Sequence, residues 1–393
     1  MNTMRPDFLA FGRPQFGDDE IAAVTRVMRS GWVGMGEETI AFEHELAGFI
    51  GAPHVVTVNS CTSALFLSLL ALGIRPGDEV ICPSLTWCST ANAALYLGAT
   101  PVFCDVDEQT LGITSSSVLR AVTPRTRAVI AVHMGGLAVD VAALRASLPS
   151  HIAIVEDAAH ALGASYPDGT PVGSSGNLTC FSFYANKNLS TGEGGAIALF
   201  DGEAAAHVRS LRQHGLSSDA WKRFTHPNAA LVPRIEELGY KMNYTDLQAA
   251  IGRVQLARQT ELAAHRLELA RRYLDALVDI RPTLEFQAGV IATGHARHLF
   301  VLKLPTAALG MSRNDILMAL RRRNIGASVH YQPLHTMPAY RASLRGKLPQ
   351  TDALGERILT LPISAAMANG DVDYVVAHLA EVLRDAADAR VAS

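Results

Sequence analysis

"FSFYANKNLSTGEGGAIALF", residues 181–200, sets a lysine, Lys187, between two short apolar runs. "CFSFYA" reads as a strand, "NKNLSTGEGG" as a polar glycine-rich turn and "AIALF" as a second strand. Of 34 basic residues only five are lysines: Lys187, Lys222, Lys241, Lys303 and Lys347. A lysine retained in an arginine-rich background can do what arginine cannot, because its amine can lose a proton and act as a nucleophile. The other reading is a surface lysine in an ordinary hairpin.

At 393 residues the chain is long enough for two domains. Apolar residues make up 49% and charged residues 18%, which favours a large core over disorder. A net charge of -3, with no basic run longer than Arg321–Arg323, argues against nucleic-acid binding. Cys61, Cys82, Cys88, Cys104 and Cys180 form no CxxC pair, so a structural zinc site is not expected. The N-terminus lacks the layout of a secretory signal, and the longest apolar stretch, around Ala64–Ile74, is too short to span a bilayer. A soluble, cytoplasmic protein with no membrane partner is expected.

Outward from Lys187, apolar strand-like runs alternate with helical patterns through the first 200 residues. "HVVTVN" (54–59), "DEVICPS" (78–84), "PVFCDVD" (101–107), "RAVIAVH" (127–133) and "IAIVED" (152–157) read as buried strands, implying an α/β fold with a mainly parallel sheet covered on both faces. Asp18–Arg29, "SCTSALFLSLLALG" (60–73) and "STANAALYLGA" (89–99) read as helices. Near residue 245 the pattern changes: Thr245 and Gln248 form a capping box that opens one long helix to Leu277. Strands "HLFVLKLP" (298–305) and "GASVHY" (326–331), with helices Ser312–Arg323 and Asp371–Asp385, follow in α+β order. This places a large domain over residues 1–245 and a connecting helix with a small C-terminal domain over 246–393.

Ligands in open α/β sheets gather beyond the carboxyl ends of the strands, and three groups fall there. In "VTVNSCTSALF" (56–66) a helix starts within Ser60–Ser63, where free amides and the hydroxyls of Thr62 and Ser63 suit a phosphate or simply cap the helix. In "IAIVEDAAHALGA" (152–164) Asp157 ends a strand and His160 follows, so the carboxylate either holds a cationic ring nitrogen or caps the next helix. The third group is Lys187 with Ser182 and the turn glycines Gly192, Gly194 and Gly195. Neither a P-loop nor a strand-linked dinucleotide fingerprint is present. A phosphate cradle, a strand-end aspartate and a later lysine together are what pyridoxal 5'-phosphate (PLP) requires. Trp87, in "PSLTWCSTAN" (83–92), is either an aromatic over the cofactor ring or an ordinary core residue.

With these residues in view, the chain resembles the PLP-dependent nucleotide-sugar aminotransferases of the DegT/DnrJ/EryC1/StrS family, which have the aspartate-aminotransferase fold (PLP fold type I). The resemblance runs over nearly the whole length through "SGWVGMG" (30–36), "NSCTSAL" (59–65), "PGDEVICPSLTWCSTANA" (76–93), "VEDAAHALGA" (155–164), "FSFYANKNLSTGEGG" (181–195), "GYKMNYTDLQAAIG" (239–252) and "HYQPLH" (330–335). It implies that Lys187 is the Schiff-base lysine, Asp157 the partner of the pyridine nitrogen, His160 a neighbour of the ring and Trp87 the stacking aromatic. Thr62, Ser63 and Ser182, with the backbone of Cys61, would hold the phosphate. The family's active site lies between two subunits, so a homodimer is implied, with Lys241 reaching the partner's cofactor phosphate. Trp32, Gly34, Met35, His330 and Tyr331 become candidates for substrate contact. His335 is either another or a histidine with local hydrogen bonds. The loop Arg212–Phe224 is expected near the site.

Three positions depart from the family's commonest pattern: Cys61 replaces a glycine, Lys241 an asparagine, and Gly34–Met35 small hydroxyl residues. The implied reaction moves the amino group of L-glutamate to a keto group, expected at C4, of a nucleotide-linked sugar. "EDAAHALG", "TWCST" and Lys241 look most like the enzymes that make UDP-4-amino-4-deoxy-L-arabinose for lipid A. Keto-hexoses on UDP, dTDP or GDP are the other substrate reading. A non-catalytic, cofactor-binding regulatory or scaffold relative is the alternative from another functional class. Relatives that dehydrate the sugar carry histidine in place of the lysine, so Lys187 argues against that activity.

Overall fold

The computed structural model describes residues 4–216, 234, 235, 237–280 and 283–391, the last three by backbone alone. Seven strands form the larger sheet: β1 (His54–Val58), β2 (Glu79–Pro83), β3 (Thr100–Cys104), β4 (Thr126–Val132), β5 (Ala153–Asp157), β6 (Leu178–Ser182) and β7 (Gly195–Leu199). Their order is β1-β7-β6-β5-β4-β2-β3. β2 to β6 pair in parallel, while β7 is antiparallel to both β6 and β1, so β7 alone runs against the rest. Each strand falls within three residues of its expected position. "AIALF" is the reversed strand because the twelve-residue turn carrying Lys187, residues 183–194, returns the chain beside the strand it has just left, as hairpins do.

The apolar runs are continuous because both faces of the sheet are buried. Val55, Ile81, Val129, Ala131, Ile154 and Phe181 enter one core; Val56, Val80, Ala128, Ile130, Val155 and Cys180 enter the other. Neighbours in sequence thus alternate between two cores, as the two-residue period of a strand dictates. One core is closed by α2 (Glu37–Ile50), after α1 (Asp18–Ser30); the other by α3 (Cys61–Ala71) and α4 (Cys88–Leu95). α3 is apolar around its circumference and buries seven of its eleven residues, which suits a helix inside the protein rather than on its surface.

A smaller sheet, β8 (Glu285–Phe286), β9 (Phe300–Lys303) and β10 (Ile358–Leu361), is wholly antiparallel in the order β10-β9-β8. It packs with the C-terminal helix Asn369–Val391 through Phe300, Leu302, Leu359, Val375 and Leu379. The capping box at Thr245 forms as read, with Thr245 and Gln248 exchanging hydrogen bonds. The single long helix does not: Arg258 (φ -91°, ψ 0°) divides it into Asp246–Ala257 and Gln259–Leu277. Ala250 of the first piece packs on Ala23 and Val27 of α1, whereas Leu269 and Tyr273 of the second face the small sheet. Two partners in different directions require the bend. "GASVHY" is a second correction, for it forms no strand. Only Ser328 bridges, to Thr360; Ala327 packs in the small-sheet core, and Tyr331 lies against the core of the larger sheet.

Candidate active site

The carboxyl ends of the strands converge on a cavity of about 450 Å³, within the usual range for a small-molecule site. β1 leads to Ser60–Thr62, β2 to Thr86, Trp87 and Ser89, β5 ends on Asp157 and β6 on Ser182, all of which line it. Lys187 enters from the turn after β6, its amide bonded to the Tyr184 carbonyl at 2.9 Å. His330 and Tyr331 arrive from the C-terminal part of the chain and close the far wall.

At the start of α3, Ser60 caps the helix by accepting from the Ser63 amide at 3.1 Å. The Cys61 and Thr62 amides precede the first residue with an intrahelical acceptor and stay available to an anion. The Thr62 hydroxyl meets that of Ser89 at 2.8 Å, joining the starts of α3 and α4. Gly195 lets β7 pass close against the start of α3, since a Cβ there would lie 2.6 Å from the Cys61 nitrogen. Ser63, expected at the phosphate, is instead turned inward: its hydroxyl donates to Asn59 Oδ1 at 2.6 Å. A side chain three residues into the cap points back along the helix start and not over it.

Asp157 is buried and accepts from the Thr90 hydroxyl at 2.8 Å and the Ala159 amide at 3.2 Å. It has no ion pair among the described residues, and burial raises its carboxyl above the ordinary range, with Thr90 opposing. Cys61, where the family commonly has glycine, sets its sulfur 4.0 Å from Asp157 Oδ1. Burial, then that carboxylate, pushes the thiol well up, so it stays protonated as a weak donor. Lys187 is the complementary group. Burial lowers its amine from 10.5 to about 8, with Cys61 and Asp157 pulling the other way.

Three imidazoles surround the amine. The Gly135 amide donates to His160 Nδ1 at 3.3 Å, leaving the ring proton on Nε2, 3.1 Å from the Tyr331 hydroxyl. His298 Nε2 lies 3.5 Å from Lys187 Nζ, and its ring sits 4.5 Å from that of His160. His330 accompanies them, its Nδ1 3.1 Å from the Thr360 hydroxyl. Burial first, and Lys187 next, hold all three below their ordinary range, His330 at about 3 and the other two well down. The rings are therefore neutral at pH 7 and cannot compete with the amine for positive charge.

His298 was not singled out in the sequence because it lies inside "HLFVLKLP", where it reads as one residue of a strand. Thr90, Ser89, Tyr184, Asn186 and Glu193 were also missed, although the quoted motifs contain all five. Trp87 is 59% exposed at the cavity edge, with its ring 5.8 Å from that of Tyr331, which removes the core-aromatic reading.

Other expected residues lie elsewhere. Trp32, Gly34 and Met35 form the turn between α1 and α2; the indole nitrogen donates to the Met35 carbonyl at 3.1 Å, and the Gly34 carbonyl accepts from the Asp246 amide at 2.8 Å. They line no wall of this cavity, and neither does the exposed Lys241. Arg212 is a buried structural residue donating to Glu43 and the Thr57 carbonyl; residues 217–224 of its loop lie outside the described residues. His335 bonds Ser84 at 2.7 Å and Asp352 at 2.8 Å, fulfilling the local-bonding reading.

The donor set fits PLP: hydroxyls and helix amides for a phosphate, an unpaired buried carboxylate for a protonated ring nitrogen, and a lysine poised to lose its proton. The family model of the DegT/DnrJ/EryC1/StrS aminotransferases matches residues 14–380. The chain is 43% identical over 387 residues to the spore coat polysaccharide biosynthesis protein SpsC of Bacillus subtilis (strain 168), covering 97% of this chain and 99% of that one. The solved aminotransferase TlmJ from Streptoalloteichus hindustanus is 33% identical, with a TM-score of 0.87 over 96% of this chain and 99% of its own. DesI, solved in the presence of its TDP-sugar product, is 27% identical, with a TM-score of 0.87 over 98% and 95% of the two chains. With the family model spanning most of its length, the chain belongs to the DegT/DnrJ/EryC1/StrS aminotransferase family and is a PLP-dependent aminotransferase.

Proposed function

We propose that this chain transfers the amino group of L-glutamate to the C4 keto group of a nucleotide-linked sugar destined for a surface polysaccharide. The observation that carries the reading is the meeting of Lys187 and Asp157 in one cavity, the amine lowered to about 8 and the carboxylate without an ion pair. The polysaccharide role in the name of SpsC and the TDP-sugar of DesI support the substrate class.

PLP supplies a covalent attachment point and an electron sink for the carbanion formed at the amino-bearing carbon. Lys187 would hold the cofactor covalently at rest, and its amine, when free, would take the proton from the donor's amino-bearing carbon and return one in the second half reaction. A pKa of about 8 lets the same nitrogen accept and give up a proton near neutrality. Asp157, oriented by Thr90 and Ala159, keeps the ring nitrogen protonated. Thr62, Ser182 and the start of α3 bind the phosphate, and Trp87 covers the ring. His298 positions the Lys187 amine without taking its proton. His330 and Tyr331 face the sugar. A homodimer completes the site, with Lys241 and the Trp32–Met35 turn serving the partner's cavity, which accounts for their distance from this one.

The test is the absorbance spectrum of the purified protein before and after L-glutamate, followed by a panel of UDP-keto-pentose and UDP-, dTDP- and GDP-keto-hexoses. A yellow band that bleaches with glutamate and returns with one keto sugar is expected. Glutamate failing to bleach the band while another amino acid does would remove the donor assignment. Restoration by a UDP-keto-pentose alone would select the lipid A reading.

A further inference from the structure

On the opposite side of the Lys187 turn lies a second cavity, of about 240 Å³, bounded by Asn188, the helix Gln259–Leu277 and the segment Ile291–Arg297. Its charged lining is entirely cationic: Arg266, Arg271 and Arg297. Arg266 and Arg297 are buried, at 3% and 7% exposure, and Arg271 stands at the exposed rim. Among the described residues none of the three forms an ion pair. Arg266 donates only to the Arg297 and Ile363 carbonyls, and Arg297 only to those of Val290, Ala292 and His295. Arg271 also borders a neighbouring cavity with Glu268, Asp275 and Asp373, where Glu268 accepts from Asn369 and Asp373 pairs with Arg272.

Buried charge without a counter-charge is costly, and proteins ordinarily pair it. Burial lowers Arg266 from 12.5 to about 10, and burial and Arg271 together lower Arg297. Two further donors are unused. Among the described residues Arg266 Nε has no partner, and neither has His295 Nε2. His295 Nδ1 accepts from the Arg297 amide at 2.8 Å, so the neutral ring carries its proton on that unpartnered Nε2. Asn188 Oδ1, a buried acceptor without a partner among the described residues, also lies in the lining.

We propose that this cavity is a second ligand site, distinct from the Lys187 cavity, that binds a small oxyanion, preferentially a phosphate group. The arginines and His295 supply donors to its oxygens, and Asn188 accepts from the one O–H that a partly protonated phosphate retains near neutrality. A carboxylate satisfies the arginines but leaves Asn188 without a donor. Asn188 also donates to the Ala296 carbonyl at 2.7 Å and follows Lys187 directly, so an occupant touches the turn that carries the catalytic amine.

The test is calorimetric titration of the PLP-loaded enzyme with inorganic phosphate, and separately acetate, at ionic strength held constant with chloride. Loading with PLP fills the cofactor's own phosphate site. Saturable binding of phosphate is expected, weakened about tenfold in Arg271→Ala, whose exposed side chain makes misfolding no confounder. Arg384→Ala, an exposed charge outside the cavity lining, should leave it unchanged. Saturation by acetate instead would assign the site to a carboxylate and overturn the phosphate preference. No saturation by either, equal affinity in Arg271→Ala, or equal weakening in Arg384→Ala would overturn the site.

Discussion

The two cavities flanking the Lys187 turn solve the burial of charge in opposite ways. Around Lys187 one amine shares its cavity with two carboxylates, Asp157 and Glu193, and three imidazoles are held neutral beside it. Behind the turn three guanidiniums stand with no carboxylate. Lysine can answer desolvation by releasing its proton near neutrality, whereas arginine keeps its charge and must find an anion. The first environment therefore makes a proton carrier and the second an anion receptor.

The sharpest way to break this contrast is Lys187→Arg, which puts the second cavity's chemistry into the first. Both half reactions should fall by roughly 10^4-fold or more, because a guanidinium neither adds to the cofactor nor returns a proton. Single-turnover absorbance with glutamate measures this, and appreciable turnover would remove the central assignment. Asp157→Asn leaves the amine but deletes its counter-charge. A loss of roughly 10^2- to 10^3-fold is expected in the glutamate half reaction, with PLP still bound. A variant within threefold of wild type would show that the carboxylate is structural.

His298→Phe should lower the rate about tenfold through misplacement of the Lys187 amine, with little change in KM for glutamate. Unchanged kcat would reduce His298 to packing. The pH response refines the same point. Folding depresses the Lys187 pKa to about 8, so uptake of PLP by the apoprotein should rise with pH and level off above that value. In Asp157→Asn the midpoint should move lower, since Asp157 favours the charged amine; an upward move would contradict this electrostatic picture. The smallest expected effect belongs to the second cavity. Arg271→Ala relieves repulsion of Arg297 and should raise Tm in chloride buffer by about 1 °C, whereas a fall would mean Arg271 has a stabilising partner.

Much of this was legible in the residues. Five apolar runs with β-branched residues, each beside a helical pattern, dictate a parallel sheet, since only strands buried on both faces are apolar throughout. Three short motifs fell at strand ends, where that topology gathers ligands, and they met in one cavity. Readings that depended on direction fared worse. Whether Ser63 turns toward the ligand or into its own cap is a matter of one rotation about a helix end. Whether residues 246–277 form one helix or two depended on which cores they would meet. His298 was invisible because a histidine at the start of an apolar strand carries no local mark of its neighbours.

Periodicity and capping signals determined, from the sequence alone, the fold class, while the strand-end motifs pointed to the cofactor chemistry and brought Lys187 and Asp157 forward as its candidates. These are local properties, each set within ten or twenty residues. Tertiary structure alone decided the environment: His298 beside the amine, a carboxylate left without an ion pair, and three arginines from two distant segments sharing a cavity with no acid. Burial and charge balance depend on what the rest of the chain brings near a group, and no local stretch of sequence records that.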